Sequence, residues 1–168
     1  MPSITLEGTP VKTSGNLPEL GSKAPDFKLT ATDMSTKTLS EFEGHKLVLN
    51  IFPSVDTGVC AQSIRSYNQE AAEMENTKVL CISRDLPFAQ QRFCGAEGIE
   101  NVVMLSDFKD GSFGKAYGLD FIDGAFDALH SRCVVVLDEN GIVQYTEQVQ
   151  EIGEEPNYKA SLYALLDE

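Results

Sequence analysis

The hydrophobic pattern changes period several times along this chain, and each change marks an element. Residues 47–52 form a near-continuous apolar run, as expected of a strand buried on both faces. Pro53 cannot donate to a sheet and stops it. Ser54, Asp56, Thr57 and Gly58 are turn and N-cap types leading into a helix. There Cys60, Ile64, Tyr67, Ala71 and Met74 step by four, three, four and three, so they share one helical face. Residues 78–83 read as a second buried strand. Asp85 as cap and Pro87 near the first position open another helix. Leu86, Ala89 and Phe93 form its buried face, and Gly95 ends it just after Cys94. Residues 102–105 predict a strand, and 112–117 a short helix stopped by Gly118. Residues 119–130 have no clear period and read as loop. A strong strand at 132–138 turns through Glu139-Asn140-Gly141 into 142–145 as a hairpin, and 157–166 form an amphipathic helix.

The N-terminal part is weaker. Residues 4–11 alternate loosely around Gly8-Thr9-Pro10, which suggests a small hairpin. Residues 24–29 alternate as a strand does, and 38–42 look like a short capped turn. Strands and helices that alternate in this way imply an α/β fold with parallel pairing and right-handed crossovers. At 168 residues the chain suits a single domain that buries roughly 70% of its unfolded surface. It shows no internal repeat, low-complexity segment or linker.

The chemistry centres on Cys60, a thiol in the first turn of a helix just past the carboxyl end of a buried strand. That turn offers free N–H groups and about half a positive charge, both of which favour an anion. An isolated buried cysteine is commonly inert packing. Here the spacing Pro53-x-x-x-Thr57-x-x-Cys60 at a strand-to-helix junction argues for a reactive thiolate. Ionisation alone does not make a fast enzyme, because nucleophilicity falls with basicity; something must also stabilise the transition state.

This spacing resembles the active-site motif of the peroxiredoxins. The wider wording, Asn50-Ile-Phe-Pro-Ser-Val-Asp-Thr-Gly-Val-Cys60, is similar to their thiol-peroxidase branch, and the likeness extends over nearly the whole chain. The resemblance implies a thioredoxin fold with an N-terminal β-hairpin extension over residues 1–16. It implies reduction of hydrogen peroxide and alkyl hydroperoxides by Cys60, which becomes a sulfenic acid. Pro53 is expected to shield the thiolate, and Thr57 to hydrogen-bond the sulfur and the peroxide. Arg132 and the Cys60 N–H are expected to polarise the O–O bond; Arg65 is the other arginine within reach of such a role. Phe93-Cys94-Gly95-Ala96-Glu97-Gly98 resembles the family's resolving segment, which implies an intramolecular Cys60–Cys94 disulfide recycled by thioredoxin. A homodimer and an antioxidant role follow from the same likeness. No metal or organic cofactor is called for.

Other features narrow the alternatives. Thirteen Lys and Arg against 26 Asp and Glu give a net charge of −13, the wrong sign for a nucleic-acid partner. The N-terminal wording carries no export-like signal, and no apolar run approaches a membrane span. Four cysteines without such a signal suit a redox-active cytoplasmic protein better than a disulfide scaffold. Cys81 and Cys133 lie within apolar strands and read as structural. The cysteine after Cys60 is Cys81, and residue 63 is Ser, so a thioredoxin-type Cys-x-x-Cys exchanger is disfavoured. Four residues separate Cys60 from Arg65, one short of a cysteine-phosphatase loop. His45 and His130 lack ligand spacing for a metal, and 110–115 is too short for a phosphate loop. A non-enzymatic redox sensor is the alternative of a different class.

Overall fold

The structure, a computed structural model, describes residues 4–166; the first three residues of the expected 1–16 extension lie outside it. β1 (Ile4–Leu6) and β2 (Thr9–Val11) pair antiparallel as the expected small hairpin. The remaining strands form one seven-stranded sheet in the order β4-β3-β7-β6-β5-β8-β9 among the described residues. They are β3 (Lys28–Ala31), β4 (Thr36–Thr38), β5 (Lys46–Ile51), β6 (Thr77–Ser83), β7 (Val103–Ser106), β8 (Cys133–Leu137) and β9 (Val143–Gln148). Four α-helices accompany them among the described residues, α1 (Gly58–Ala71), α2 (Pro87–Glu97), α3 (Ser112–Ala116) and α4 (Tyr158–Leu166), with a 3-10 turn at Leu39–Phe42. The β5-α1-β6-α2-β7 run is parallel, whereas β8 joins β5 antiparallel and β3 joins β7 antiparallel.

Side chains alternate across the central strands, so the apolar runs feed two cores at once. Leu47, Leu49, Ile51, Leu80, Ile82, Cys133, Val135 and Leu137 pack on one face with Phe42, Phe113 and Tyr117. Val48, Val79, Cys81, Val134 and Val136 pack on the other with Cys60, Ile64 and Tyr67 of α1, Phe93 of α2 and Leu165 of α4. A third, smaller cluster joins Ile4 and Val11 of the hairpin to Phe121 and Ile152.

The structure corrects several boundaries. α2 starts after Leu86, not Asp85, because the Asp85 carboxylate is engaged elsewhere. It runs through Gly95 and ends at Gly98, the residue whose positive φ of 68° lets the chain leave the helix. Cys94 therefore lies inside the helix. α1 ends at Ala71, before Met74. The strand expected at 24–29 begins only at Lys28, since Asp26 Oδ1 caps the Phe27 and Leu39 amides and turns the chain there. The 119–130 segment is irregular, as expected, yet Leu119, Phe121 and His130 within it are buried. Its order comes from long-range bonds, such as Ile122 N–H to the Lys12 carbonyl (2.9 Å), which leave no periodic trace in the sequence.

Candidate active site

β5 aims the chain at the site. Phe52 and Pro53 continue it as buried coil; Thr57 then takes an extended N-cap conformation and α1 begins at Gly58. The first i→i−4 bond of the helix is Ala61 N–H to the Thr57 carbonyl (3.0 Å). The N–H groups of Gly58, Val59 and Cys60 precede it and leave positive potential around the sulfur. Cys60 itself is fully buried among Val48, Phe52, Val55 and Ile64. Ser63 Oγ donates to the Cys60 carbonyl (2.8 Å) and accepts from Asn50 Nδ2 of β5 (3.3 Å), which ties the first turn to the sheet.

The loop before the helix has an anchor that the pattern reading missed. Asp85 accepts from Ser54 Oγ (2.7 Å), Val55 N–H (2.8 Å) and Ser83 Oγ (2.6 Å). It follows β6, whose carboxyl end lies beside that of β5, the edge at which parallel sheets gather their functional loops. An acidic residue just past the neighbouring parallel strand was the available signal. The Thr57 hydroxyl donates to the Ser54 carbonyl (3.0 Å), so it is bound into this same turn.

Arg132 reaches Cys60 through simple alternation. It immediately precedes β8 and points to the same face as Val134 and Val136, the face on which α1 packs; Cys133 points to the other. The residue is only 3% exposed. Nη1 donates to Cys60 Sγ at 2.8 Å, while Nε and Nη2 both donate to the Ile152 carbonyl (3.0 and 2.8 Å). Two bonds to one carbonyl fix the plane of the fork, and the third nitrogen then has one direction left. A permanent cation, dry and touching the sulfur, stabilises a thiolate and a developing alkoxide beside it. Arg65 takes no part: it pairs with Glu97 at the surface (2.6 Å).

The other thiols differ in environment. Cys94 is half-buried in α2 and packs against the cluster that holds Cys60; burial pushes its thiol up to about 11. Burial pushes Cys81 and Cys133 up to about 12, and Cys133 is on the opposite face of the sheet from Cys60. All four cysteines are free thiols. Salt bridges flank Cys94 on α2, from Arg92 to Asp56 (3.2 Å) and from Glu97 to Arg65, so α2 is tied to the Cys60 unit on both sides of Cys94. Among the described residues no group of three or more His, Cys, Asp or Glu is placed to hold a metal ion, and no helix is long and apolar enough to cross a membrane.

Comparison with known proteins agrees with this geometry. The Redoxin family model matches residues 19–162. A thiol peroxidase of Mycobacterium tuberculosis is 52% identical over 165 residues, covering 98% of this chain and 99% of that one. A peroxiredoxin-like protein from Aquifex aeolicus superposes with a TM-score of 0.91 at 34% identity, covering 98% of this chain and 96% of the other. A thiol peroxidase from Chromobacterium violaceum shares the fold at a TM-score of 0.89 and 19% identity, covering 96% of this chain and 94% of its own. A dry thiol gripped by an arginine on a thioredoxin-like sheet, with this degree of likeness, places the chain in the Redoxin family as a thiol peroxidase, which reduces peroxides through a thiol.

Proposed function

We propose that Cys60 is the peroxide-reactive thiol, Cys94 its resolving partner and thioredoxin the reductant. The observation that carries the reading is the 2.8 Å bond from Arg132 Nη1 to a fully buried Cys60 sulfur. In the first step the Cys60 thiolate attacks the terminal oxygen of hydrogen peroxide or an alkyl hydroperoxide. An S–O bond forms, the O–O bond breaks, and the departing hydroxide or alkoxide takes up a proton, leaving a sulfenic acid on Cys60. Arg132 and the free N–H groups of the first turn stabilise the charge that moves onto the leaving oxygen. Pro53, buried at the end of β5, keeps bulk water off the sulfur, and Thr57, whose hydroxyl proton goes to the Ser54 carbonyl, accepts a hydrogen bond from the incoming peroxide.

In the second step the Cys94 thiolate attacks the Cys60 sulfur, the S–S bond forms as the S–O bond breaks, and the departing hydroxide takes up a proton to leave as water. The thioredoxin dithiol then reduces that disulfide and restores both thiols. A disulfide needs the two Cα atoms within about 7 Å, and both cysteines sit in helices. The helix around Cys94 therefore unwinds locally during turnover. The protein acts in the cytoplasm as a homodimer; four unpaired thiols suit a reducing compartment, and exposed Leu86 and Phe88 beside the active-site loop give a second copy an apolar surface.

The test is peroxide consumption coupled to thioredoxin, thioredoxin reductase and NADPH. The enzyme turns over continuously, whereas a redox sensor oxidises once and stalls. Cys94→Ser is expected to form the sulfenic acid at the usual rate and to lose thioredoxin-linked cycling; full cycling by that variant would remove Cys94 from the mechanism.

A further inference from the structure

The N-terminal hairpin is attached to the body of the protein at a particular place. Thr5 N–H donates to the Gln150 carbonyl (2.7 Å), and Ile152 N–H returns to the Thr5 carbonyl (3.0 Å). Between these bonds the Glu151 carboxylate accepts from the Thr5 hydroxyl, from Glu7 N–H (2.7 Å) and from Gly8 N–H (3.5 Å). These bonds, the Thr5 hydroxyl foremost, hold the Glu151 carboxyl below its ordinary range. Ile152 itself is buried against Ile4 and Val11 of the hairpin. The peptide fixed by this clasp ends in the Ile152 carbonyl, the same oxygen that receives Nε and Nη2 of Arg132.

We propose that the hairpin, clasped by Glu151, is a positioning element for Arg132: it sets the Ile152 carbonyl, which sets the plane of the guanidinium and so aims Nη1 at the Cys60 sulfur. Glu151 touches neither the sulfur nor Arg132 and acts only through the backbone of residues 151–152. Arginine is required for this arrangement, since a lysine ammonium is a point charge with no plane to orient. When the clasp loosens, the carbonyl wanders, the fork rotates with it, and the charge stays buried but is aimed off the reacting atoms. The inference rests on the assignment of Cys60 and Arg132 given above.

The experiment is a double-mutant cycle on the full chain. Oxidation of Cys60 by hydrogen peroxide is followed in a Cys94→Ser background, so that only the first step is read. Glu151→Gln removes one acceptor and the charge; Thr5→Val removes a donor and leaves the charge, which guards against a variant that folds poorly. Each is expected to slow oxidation roughly three- to tenfold, and to have almost no further effect once Arg132 is replaced by Lys. Thioredoxin reduction of the oxidised protein with Cys94 intact, a step that does not use Arg132, keeps its rate. Equal slowing in the Arg132 and Arg132→Lys backgrounds, or no slowing in either clasp variant, would overturn the positioning role while leaving Cys60 in place. Failure of hydrogen peroxide to oxidise Cys60 in the parent protein would overturn both.

Discussion

Replacing Gly98 by Ala should accelerate the proposed Cys60–Cys94 disulfide formation while weakening the helix that carries Cys94. Gly98 closes α2 with φ 68°, and its N–H and that of Ile99 both return to the Cys94 carbonyl, the latter at 3.0 Å. A methyl group added at residue 98 meets nothing within 4 Å, so the substitution acts through backbone conformation alone. A left-handed conformation costs a non-glycine residue about 1–2 kcal/mol. If local opening is a pre-equilibrium, that cost raises the open population about five- to thirtyfold, and the rate of disulfide formation with it.

The state of the Cys94 thiol makes the same argument from another side. Burial in the packed helix holds it up at about 11, so only about one molecule in ten thousand carries the thiolate at pH 7. Once unwound and solvated it returns toward about 8.5, where roughly three per cent is ionised. Unwinding therefore supplies reach and about three hundred times more nucleophile. The sign for stability follows: the neutral buried thiol contributes fully below about pH 8.5, and the contribution is lost as pH rises toward about 11. The assay is oxidation with one equivalent of hydrogen peroxide, quenching at set times, and mass-spectrometric counting of sulfenic acid against disulfide. Gly98→Ala should convert faster at pH 7, and the wild-type rate should keep climbing with pH through 8.5 toward about 11, because ionisation of the exposed thiol also favours opening. A Gly98→Ala protein that loses exchange protection in α2 yet forms its disulfide no faster would refute the reasoning.

Further outcomes follow from the same contacts. Arg132→Met removes the cation from the sulfur, and the second-order rate of Cys60 oxidation should fall by about 10²–10³, read by stopped-flow competition with catalase; a loss under threefold would remove Arg132 from the chemistry. Asp85→Asn weakens the anchor shared by Ser54, Val55 and Ser83 and should cost about 2 kcal/mol in denaturant unfolding, with slower oxidation because the first turn is less fixed. Gly114→Ala places a methyl 1.9 Å from Asp120 Oδ1. It should destabilise by about 2–3 kcal/mol without altering the peroxide step of the folded fraction, which thermal melting and single-turnover oxidation would separate.

Local pattern decided much of this protein. The run from Leu47 through Phe52 with Pro53 behind it fixes a buried strand that must stop, and the helical step from Cys60 to Ala71 fixes which face turns inward. Those two facts alone place a thiol at a helix start. They depend only on side-chain polarity and on the backbone limits of proline and glycine, which are local properties and so are written in the sequence. Boundaries were less secure where local and distant demands competed. Asp85 has the chemistry of a cap, but Ser54 and Val55, some thirty residues away, claim its carboxylate; Gly95 can end a helix, yet Gly98 does.

What only the tertiary structure decided is who meets whom. Arg132 is 72 residues from Cys60 and becomes its neighbour because β8 pairs with β5 in a register that sets Ile51 opposite Cys133. Ile152 orients that arginine with a backbone carbonyl, a group every residue carries and no side-chain pattern marks. The hairpin matters for the same reason: its hold on Glu151 joins residues 5 and 151. Such contacts arise from sheet order and loop closure, properties of the whole chain, and polarity along a segment does not encode them.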